Sequence, residues 1–284
     1  MITVAIQKSG RLSEKSLKLL NEAGIYLDNG SHKRLLTRAQ NFPLQVLFLR
    51  DDDIPESVSD GVADIGIVGY NVVEEKDKPI ALVERLGFAR CRLSIAVPKQ
   101  MNYTNRHQLN GLRIATSYPN ILRKFLEQNK INASIHEISG SVEVAPGIGM
   151  SDAIFDIVST GSTLISNGLK EVETVIESEA VLIANPDLPH EKKQLLNKLL
   201  FRIRAVQKAQ RYRYILLNAP QEAVETISEI LPGMKSPTVM PLAEKGWVSI
   251  HSVIQEDEFW EIIEKLKQAG AQGILVVPIE KMIL

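Results

Sequence analysis

The sequence predicts an α/β fold followed by a smaller α+β domain, and three observations support this. Short apolar runs alternate with helical patterns up to about residue 183, as in chains that build sheets covered by helices. From about residue 212 the order becomes strand, helix, strand, strand, helix, strand, which is the ferredoxin-like split motif. The length of 284 residues is also long for one core and favours two or three domains.

The first part begins with a strand over Ile2–Ile6 and a helix that ends at Gly24. Glycine commonly ends helices because it adopts the left-handed conformation at no steric cost. Further strands are predicted over Gln45–Leu49 and Asp64–Val68, with a short helix near Pro55 between them. We expect mainly parallel sheets in this part, since each strand is followed by a helix.

Two close strands, Ile80–Phe88 and Arg92–Val97, are predicted to carry the chain into a second lobe. There, a strand–helix–strand set is predicted at Leu112–Thr116, Pro119–Asn129 and Ser134–Ile138. Val181–Ala184 then returns the chain to the first lobe. We therefore assign residues 1–90 and 182–211 to lobe I, residues 91–181 to lobe II and residues 212–284 to a separate C-terminal domain.

A helix from His190 to about Arg211 carries many Lys and Arg residues. We interpret its basic face as solvated, although a ligand-binding role is the alternative. The C-terminal domain follows with strands and helices at Tyr212–Leu217, Gln221–Leu231, Thr238–Leu242, Trp247–Ile254, Glu258–Ala269 and Ile274–Ile279.

Composition excludes several classes of protein. The net charge of −1, with 44% hydrophobic and 24% charged residues, gives no general attraction to nucleic acid or to an anionic membrane. Cys91 is the only cysteine, so no intrachain disulfide can form. We find no signal-peptide pattern and no run long enough to cross a bilayer. A cytoplasmic location is therefore expected.

The segment around Asp156 is the most informative part of the chain. The apolar run Ile154–Val158 predicts a strand, and a hydroxyl-rich turn follows it before a helix begins near Ser162. Such a turn directs free N–H groups and hydroxyls at one point, where the helix dipole also favours negative charge. On the residues alone, an ordinary strand-to-helix turn with Ser162 as N-cap is an equally good interpretation. We call Ser159–Thr163 the phosphate turn.

Several motifs, spread over nearly the whole chain, resemble one family. The string Asp156-Ile-Val-Ser-Thr-Gly-Ser-Thr163 is similar to the phosphoribosyl-pyrophosphate loop of phosphoribosyltransferases. Further strings resemble those of ATP phosphoribosyltransferase in its long form: Gln7-Lys8-Ser9-Gly10-Arg11-Leu12, Arg50-Asp51-Asp52-Asp53-Ile54-Pro55, Asp64-Ile-Gly-Ile-Val-Gly69, Ile114-Ala-Thr-Ser-Tyr-Pro119, Gly140-Ser-Val-Glu143-Val-Ala-Pro146 and Ile279-Glu-Lys-Met282.

This resemblance implies a fold and a reaction. The two lobes would form a type II periplasmic-binding-protein-like catalytic region, and the C-terminal domain would be an ACT-like regulatory domain. The enzyme would transfer the phosphoribosyl group of phosphoribosyl pyrophosphate (PRPP) to N1 of the adenine of ATP and release pyrophosphate. This is the first step of histidine biosynthesis and would be inhibited by histidine. AMP and ADP are further candidate ligands, and a homo-oligomer, from dimer to hexamer, is expected.

The same resemblance implies the residues of the active site. Glu143, Asp156, Lys8 and Arg50 would be catalytic, and PRPP would contact Asp156, Ser159, Thr160, Gly161, Ser162 and Thr163. ATP would contact Lys8, Gly10, Arg11, Arg50, Asp64 and Tyr118. Mg²⁺ is the expected cofactor, bound mostly by substrate oxygens and water, with no dedicated protein site and with Asp156 as a candidate ligand.

Each of these residues also has a structural interpretation. Glu143 could instead belong to a first helical turn, where it complements the dipole, and Asp156 to a solvated strand end, but the motifs around both residues favour a role in the site. The cations can be surface residues, and Asp64 can be a turn carboxylate that accepts backbone N–H bonds. Tyr118 either stacks on adenine or packs under the lobe interface.

In the C-terminal domain, the resemblance places histidine between paired domains. The implied contacts are Asn218, Met234, Ser236, Thr238, Val253 and Gly273, although some family members carry an acid where Asn218 stands. Turn chemistry is an alternative for Pro232-Gly233 and Ser236-Pro237.

Two competing functions have to be considered. Prephenate dehydratase also combines a two-lobed fold with an ACT domain, but it has a Thr-Arg-Phe string where this chain has Thr116-Ser-Tyr118. A non-catalytic receptor for an anionic solute or amino acid is the second alternative. No P-loop sequence is present, and the five histidines show no metal-ligand spacing.

Overall fold

A computed structural model describes residues 1–28 and 35–283. The chain divides into two compact units. Residues 1–21 and 25–197 form the first, and residues 22–24 and 198–284 form the second. This division falls inside a long helix, whereas the sequence places the boundary after Arg211; the exact domain limits stay a prediction.

The first elements of the chain build lobe I. They are, in order, β1 (Ile2–Gln7), α1 (Arg11–Glu22), β2 (Leu36–Arg38), β3 (Leu44–Leu49), α2 (Ile54–Ser59), β4 (Ile65–Gly69), α3 (Tyr70–Lys76) and β5 (Ala81–Arg85). A short 3-10 turn, Asp51–Asp53, joins β3 to α2.

Lobe II follows and then returns to the first sheet. Its elements are β6 (Cys91–Pro98), β7 (Arg113–Thr116), α4 (Pro119–Gln128), β8 (Ser134–Glu137), β9 (Ala153–Val158), α5 (Ser162–Ser166) and β10 (Leu169–Ser178). The strand β11 (Ala180–Ala184) completes the sheet of lobe I, and the helix α6 (His190–Gln210) comes next.

The two sheets are mixed, and the expectation of mainly parallel sheets is wrong. Lobe I has the strand order β2-β3-β1-β4-β11-β5 and lobe II has β10-β6-β9-β7-β8. β1 runs parallel to β3 and β4, and β7 runs parallel to β8 and β9. All pairings of the crossover strands β5, β6, β10 and β11 are antiparallel. The doubled crossover between lobes therefore produces the mixed topology.

Two strands were not predicted from the sequence. β10 alternates charged and apolar residues and lies at the edge of its sheet, where most of its side chains are half-exposed. β2 has three residues and its two flanking side chains are exposed. Neither has the buried apolar run by which strands are most easily recognised.

The second unit contains a four-stranded antiparallel sheet. Its elements are β12 (Tyr212–Pro220), α7 (Val224–Ile230), β13 (Thr238–Pro241), β14 (Trp247–Gln255), α8 (Glu256–Gln268) and β15 (Gln272–Pro278). The strand order β13-β14-β12-β15, with every pairing antiparallel, is that of the ferredoxin-like motif. Ile215, Leu217 and Ile250 face the helices and form its core.

None of the described helices is long and apolar enough to cross a membrane.

Helix α2 lies directly against the middle of β4 because Gly66 has no side chain. A Cβ added there would lie 2.7 Å from Ile54 Cγ2 and 3.1 Å from Val58 Cγ2. Both residues are fully buried, so neither side chain can move away without disturbing the core. The close contact fixes the segment that follows Arg50 against the sheet.

We predict that Gly66→Ala destabilises the protein by about 1–3 kcal/mol through overpacking, measured by urea denaturation. The matched control is Gly147→Ala. Gly147 also has ordinary backbone geometry, and its added Cβ would make only a 3.4 Å contact. Equal stability of the two variants would show that α2 can move away from β4.

Candidate active site

The phosphate turn has the geometry expected of an anion-binding loop. β9 ends at Val158, Gly161 has φ 80°, and α5 begins at Ser162. Within the described residues, the backbone N–H groups of 159–163 have no protein acceptor. The Thr160 and Ser162 hydroxyls lie 3.0 Å apart. The turn therefore offers N–H and O–H donors in one small region.

The alternative with Ser162 as N-cap is wrong. Gly161 occupies the N-cap position and Ser162 is the first helical residue. Since glycine has no side chain, it cannot satisfy the N–H groups of the first turn. Those groups remain available to a ligand.

Glu143 lies in a short 3-10 turn, Val142–Val144, rather than at the start of a longer helix. The two residues before this turn, Gly140 and Ser141, both have positive φ, 80° and 51°. Val142 and Ala145 are buried in one cluster with residues that support the phosphate turn: Ile154, Val158 and Leu164. This shared core holds Glu143 close to β9 and to the turn.

Asp156 is half-buried on β9 and its charge is poorly compensated. Burial raises its pKa, the hydrogen bond from the Ile157 N–H at 2.8 Å opposes this, and the nearby Glu143 carboxylate raises the pKa again. The structure thus brings two predicted catalytic carboxylates into each other's field. Two neighbouring carboxylates whose charges are poorly compensated favour a cationic ligand or intermediate.

The predicted cations lie at the carboxyl ends of the strands of lobe I. Lys8 follows β1 and Arg50 follows β3, and the Lys8 N–H donates to the Leu49 carbonyl at 2.8 Å. Gly10 has φ 97°, which lets the chain turn into α1, where Arg11 is the first residue. Lys8, Gly10, Arg11 and Arg50 are all exposed. Open α/β sheets bind ligands at this edge.

The prediction that Asp64 contacts ATP is not supported by the structure. Asp64 precedes β4 and lies beside Thr3, at the amino ends of the parallel strands. A strand of six residues, such as β1, places it about 20 Å from the edge that carries Lys8. Its carboxylate accepts from the Thr3 N–H at 2.8 Å and from Lys192 Nζ at 2.7 Å. The structural interpretation, a turn carboxylate, is confirmed, and Lys192 is not simply solvated.

Tyr118 packs under the lobe interface. Its ring lies against the core of lobe II, and its hydroxyl accepts from Asn71 Nδ2 of lobe I at 3.2 Å. Burial and the charge of Asp156 raise its pKa, with smaller contributions from Asp51 and Asp52. Tyr118 therefore lies near Asp156, while its contact with adenine stays a prediction.

A cavity of about 540 Å³ opens between the lobes. Its lining includes residues that the sequence analysis did not single out: Asp52, Glu75, Lys76, Ser117, Asn120, Arg123, Glu137 and Ser139. Pro119, Ile138 and Gly140 complete it. Three of the family-like strings in the sequence contain part of this lining: one holds Asp52, one holds Ser117 and Pro119, and one begins at Gly140.

Comparisons with known proteins identify the family. The family model described as ATP phosphoribosyltransferase matches residues 50–205, and the model described as "HisG, C-terminal domain" matches residues 209–281. An ATP phosphoribosyltransferase of Cytophaga hutchinsonii is 63% identical over 100% of this chain and 99% of the relative. One from Phocaeicola vulgatus is 57% identical over the full length of both chains. The chain belongs to the ATP phosphoribosyltransferase family.

Solved structures agree with this assignment. The ATP phosphoribosyl transferase (HisG:HisZ) complex from Thermotoga maritima contains a chain with 29% identity and a TM-score of 0.61, covering 72% of this chain and 99% of that one. A histidine kinase sensor domain with similarity to periplasmic binding proteins has 12% identity and a TM-score of 0.51, covering 73% of this chain and 90% of that one. The second match supports the fold alone. The predicted fold class is confirmed.

As a member of this family of pentosyltransferases, the chain is an enzyme, and the dehydratase and receptor alternatives are set aside. The binding of Mg²⁺ stays a prediction, and carboxylates are among the ligands that this ion prefers. No three His, Cys, Asp or Glu side chains among the described residues group closely enough to hold a metal, and His32 lies outside the described residues. Glu143 and Asp156 can add one or two ligands to a Mg²⁺ that substrate oxygens hold.

Four of the six predicted effector residues fall into two groups in the second unit. Asn218 pairs with Ser249 and lies near Gly273, whose added Cβ would be 3.7 Å from Asn218 Nδ2. Val253, four residues along β14, lines a cavity of about 480 Å³ with Met234. Four residues of strand span about 13 Å. One free amino acid therefore cannot reach both groups within one copy of the domain.

Thr238 lies between these groups on the same open sheet face, opposite His251 on β14. His251 is hydrogen-bonded on both ring nitrogens, to the Tyr214 hydroxyl at 2.8 Å and to the Ser249 hydroxyl at 3.0 Å. Ser236 precedes β13, and its carbonyl O would lie 3.6 Å from a Cβ added at Gly233. The open face is thus polar at its centre.

We predict that Asp156→Asn stabilises the fold while it lowers activity. The folded protein holds the Asp156 pKa above its ordinary value, so the ionised carboxylate costs stability at neutral pH. Asparagine keeps an acceptor for the Ile157 N–H and removes the charge. The gain in unfolding free energy should be full above the folded pKa and should vanish as the pH falls below the ordinary aspartate pKa.

The measurement is urea denaturation of parent and variant at a series of pH values, from below the ordinary aspartate pKa to neutral pH. Asp187→Asn, at an exposed aspartate, is the matched control and should show no such gain. A loss of stability in Asp156→Asn at neutral pH would contradict the inference that its charge is undercompensated.

Proposed function

We propose that the chain joins N1 of the adenine of ATP to C1 of the ribose of PRPP and releases pyrophosphate, as the first step of histidine biosynthesis. The observation that carries the proposal is the shared core under two motifs. Val142 and Ala145 pack with Val158 and Leu164, so a phosphate-binding turn and a pair of carboxylates face one ligand. PRPP has a phosphate at one end and a carbon that becomes cationic at the other.

In this proposal the phosphate turn holds the 5′-phosphate of PRPP. The free N–H groups of 159–163 and the hydroxyls of Thr160 and Ser162 supply donors to a dianionic group. Charge-assisted hydrogen bonds of this kind contribute about 1.5–3 kcal/mol each. Gly161 has no Cβ, so the backbone can approach the phosphate closely.

The carboxylates act on the sugar. When the bond from C1 to pyrophosphate breaks, positive charge develops on the ribose ring, in an oxocarbenium-like transition state. Glu143 and Asp156 lie in each other's field without a cationic partner strong enough to lower the Asp156 pKa. A developing cation between them relieves this repulsion, so it is stabilised more than the neutral substrate. No side-chain nucleophile is needed.

Cations from lobe I act on the leaving group and on ATP. Lys8, Arg11 and Arg50 lie at the carboxyl edge of the sheet, where polyphosphate binds in such folds. Mg²⁺, when bound, would neutralise charge on the pyrophosphate. The protein's part is to fix the reacting groups in one geometry, which lowers the entropic cost of joining two substrates.

The remaining features of the proposal concern assembly and control. The related Thermotoga maritima protein is part of a HisG:HisZ complex, which supports assembly in general. For this chain we propose a homo-oligomer, from dimer to hexamer. We propose that histidine inhibits the enzyme by binding between paired C-terminal domains, because the two groups of effector residues are too far apart for one ligand in one copy. AMP and ADP remain candidate ligands of the ATP site, and a cytoplasmic location stays a prediction.

We predict that Thr160→Ala raises the KM for PRPP about 10- to 100-fold, the equivalent of one charge-assisted hydrogen bond, and leaves the KM for ATP nearly unchanged. Ser166→Ala is the matched control, because the Ser166 hydroxyl donates to the Ser162 carbonyl at 3.0 Å, away from the proposed phosphate. Steady-state kinetics with both substrates provide the measurement. Equal losses for ATP and PRPP would place the phosphate elsewhere.

We also predict that Thr238→Trp abolishes histidine binding and histidine inhibition while it preserves basal activity. A bulky side chain at Thr238 fills the centre of the open sheet face, between the two groups of effector residues. Gln268→Trp, on the exposed side of α8, is the matched control and should keep both. Calorimetry measures binding, and initial rates measure inhibition. If a variant that no longer binds histidine here is still inhibited as the parent is, the effector site lies elsewhere.

A further inference from the structure

Helix α4 of lobe II is capped by a side chain of lobe I. Glu75 lies in the last turn of α3 and is 7% exposed. Its Oε1 accepts from the Asn120 N–H and its Oε2 from the Ile121 N–H, each at 3.0 Å. Asn120 Nδ2 also donates to the Glu75 carbonyl at 2.9 Å. Three hydrogen bonds therefore join the end of one helix to the start of the other.

This cap replaces one that lobe II does not supply. Tyr118 occupies the N-cap position of α4, and in the described structure its side chain makes no capping hydrogen bond. Pro119, the first helical residue, has no N–H. The N–H groups of Asn120 and Ile121 would lack an acceptor without Glu75. A carboxylate at this end also complements the helix dipole.

A second link starts from Asn71, four residues before Glu75 and thus on the same face of α3. Asn71 Nδ2 donates to the Tyr118 hydroxyl at 3.2 Å, and Asn71 Oδ1 accepts from the Ser178 hydroxyl at 2.8 Å. Asn71 and Ser178 are both buried. Ser178 ends β10, immediately before the chain crosses back into lobe I. A Cβ at Gly69 would lie 2.4 Å from Asn71 Oδ1, so Gly69 leaves the space for this link.

The Asn71 link reaches Tyr118 directly, and the Glu75 link reaches the helix that starts beside it. Tyr118 is the residue directly before α4, so its position follows the start of that helix. The charge of Asp156 acts on it, so it lies near the carboxylate that the proposed reaction uses. Two lobes joined by two crossovers can rotate about them. The face of α3 that carries Asn71 and Glu75 opposes such rotation.

We propose that Glu75 is a positioning residue for phosphoribosyl transfer: by capping α4 from the other lobe, it holds Tyr118 in one place relative to Asp156. The inference rests on the proposed function, because it assumes that substrates react between the lobes. Loss of the cap should then affect the geometry of the reacting groups more than the affinity for PRPP. The phosphate turn is in lobe II, and among the described residues the hydrogen bonds of Glu75 go to Asn120 and Ile121 instead.

The test compares Glu75→Ala, Glu75→Gln and the control Glu127→Ala, an exposed carboxylate on α4 itself. Glu75→Ala should lower kcat about 10- to 100-fold, because small displacements of reacting groups have effects of that size. The KM for PRPP should stay within about threefold of the parent value, as expected when binding is unaffected. Glu75→Gln keeps one acceptor oxygen and should recover part of the loss. Glu127→Ala should match the parent.

A double-mutant cycle separates positioning from a general loss of stability. If Glu75 acts through Tyr118, the effects of Glu75→Gln and Tyr118→Phe on kcat should not be additive. Circular dichroism at the assay temperature shows whether each variant is folded. The cycle uses only Glu75→Gln and Tyr118→Phe, the two substitutions that change the side chain least.

Additive effects, or a kcat within about twofold of the parent for folded Glu75→Gln and Glu75→Ala, would overturn the positioning role. The parent is assayed first. A parent that forms no phosphoribosyl-ATP would reject the proposed function, whereas an active parent with unaffected variants would reject only this inference.

Discussion

The burial of Val142 and Ala145 against β9 and α5 is the constraint on which the site depends. In the Gly140–Pro146 motif these two residues lie on either side of Glu143, and their partners Val158 and Leu164 lie on either side of the phosphate turn. Apolar burial is not directional, yet close packing allows few alternative arrangements of such a cluster. The core therefore sets the distance between the carboxylates and the phosphate donors. A second constraint, the cap that Glu75 places on α4, sets the position of the opposing lobe.

The charges of the site destabilise the folded protein. Glu143 and Asp156 repel each other, and burial adds to the cost of ionising Asp156. Such an arrangement is unfavourable in the free protein and becomes favourable when positive charge develops between the two groups. By contrast, Asp64 is also buried but lies between the Thr3 N–H and Lys192. The two aspartates therefore differ in their partners: Asp64 has a cation and an N–H group, whereas the predicted catalytic Asp156 accepts from the Ile157 N–H.

The sequence predicted the parts of the fold that depend on local pattern. The ferredoxin-like order of the C-terminal domain, the helix α6 and the strand before the phosphate turn are confirmed because each has a clear periodicity or apolar run. The direction of strand pairing was not predictable, since it depends on how the doubled crossover passes between lobes. β10 was missed because its alternating charged and apolar residues lack the buried apolar run of an easily recognised strand. The place of Asp64 at the amino ends of the strands could not be predicted from its motif, because it depends on the sheet register.

The most direct measurement of the central claim is the product formed from ATP and PRPP in the presence of Mg²⁺ and a pyrophosphatase. We expect a phosphoribosyl adduct of ATP, identified by mass, with an isotope label at N1 of the adenine showing the new bond to the ribose. Formation of this adduct should require both substrates and be slower in Asp156→Asn. No adduct, or an adduct at another position of ATP, would contradict the account.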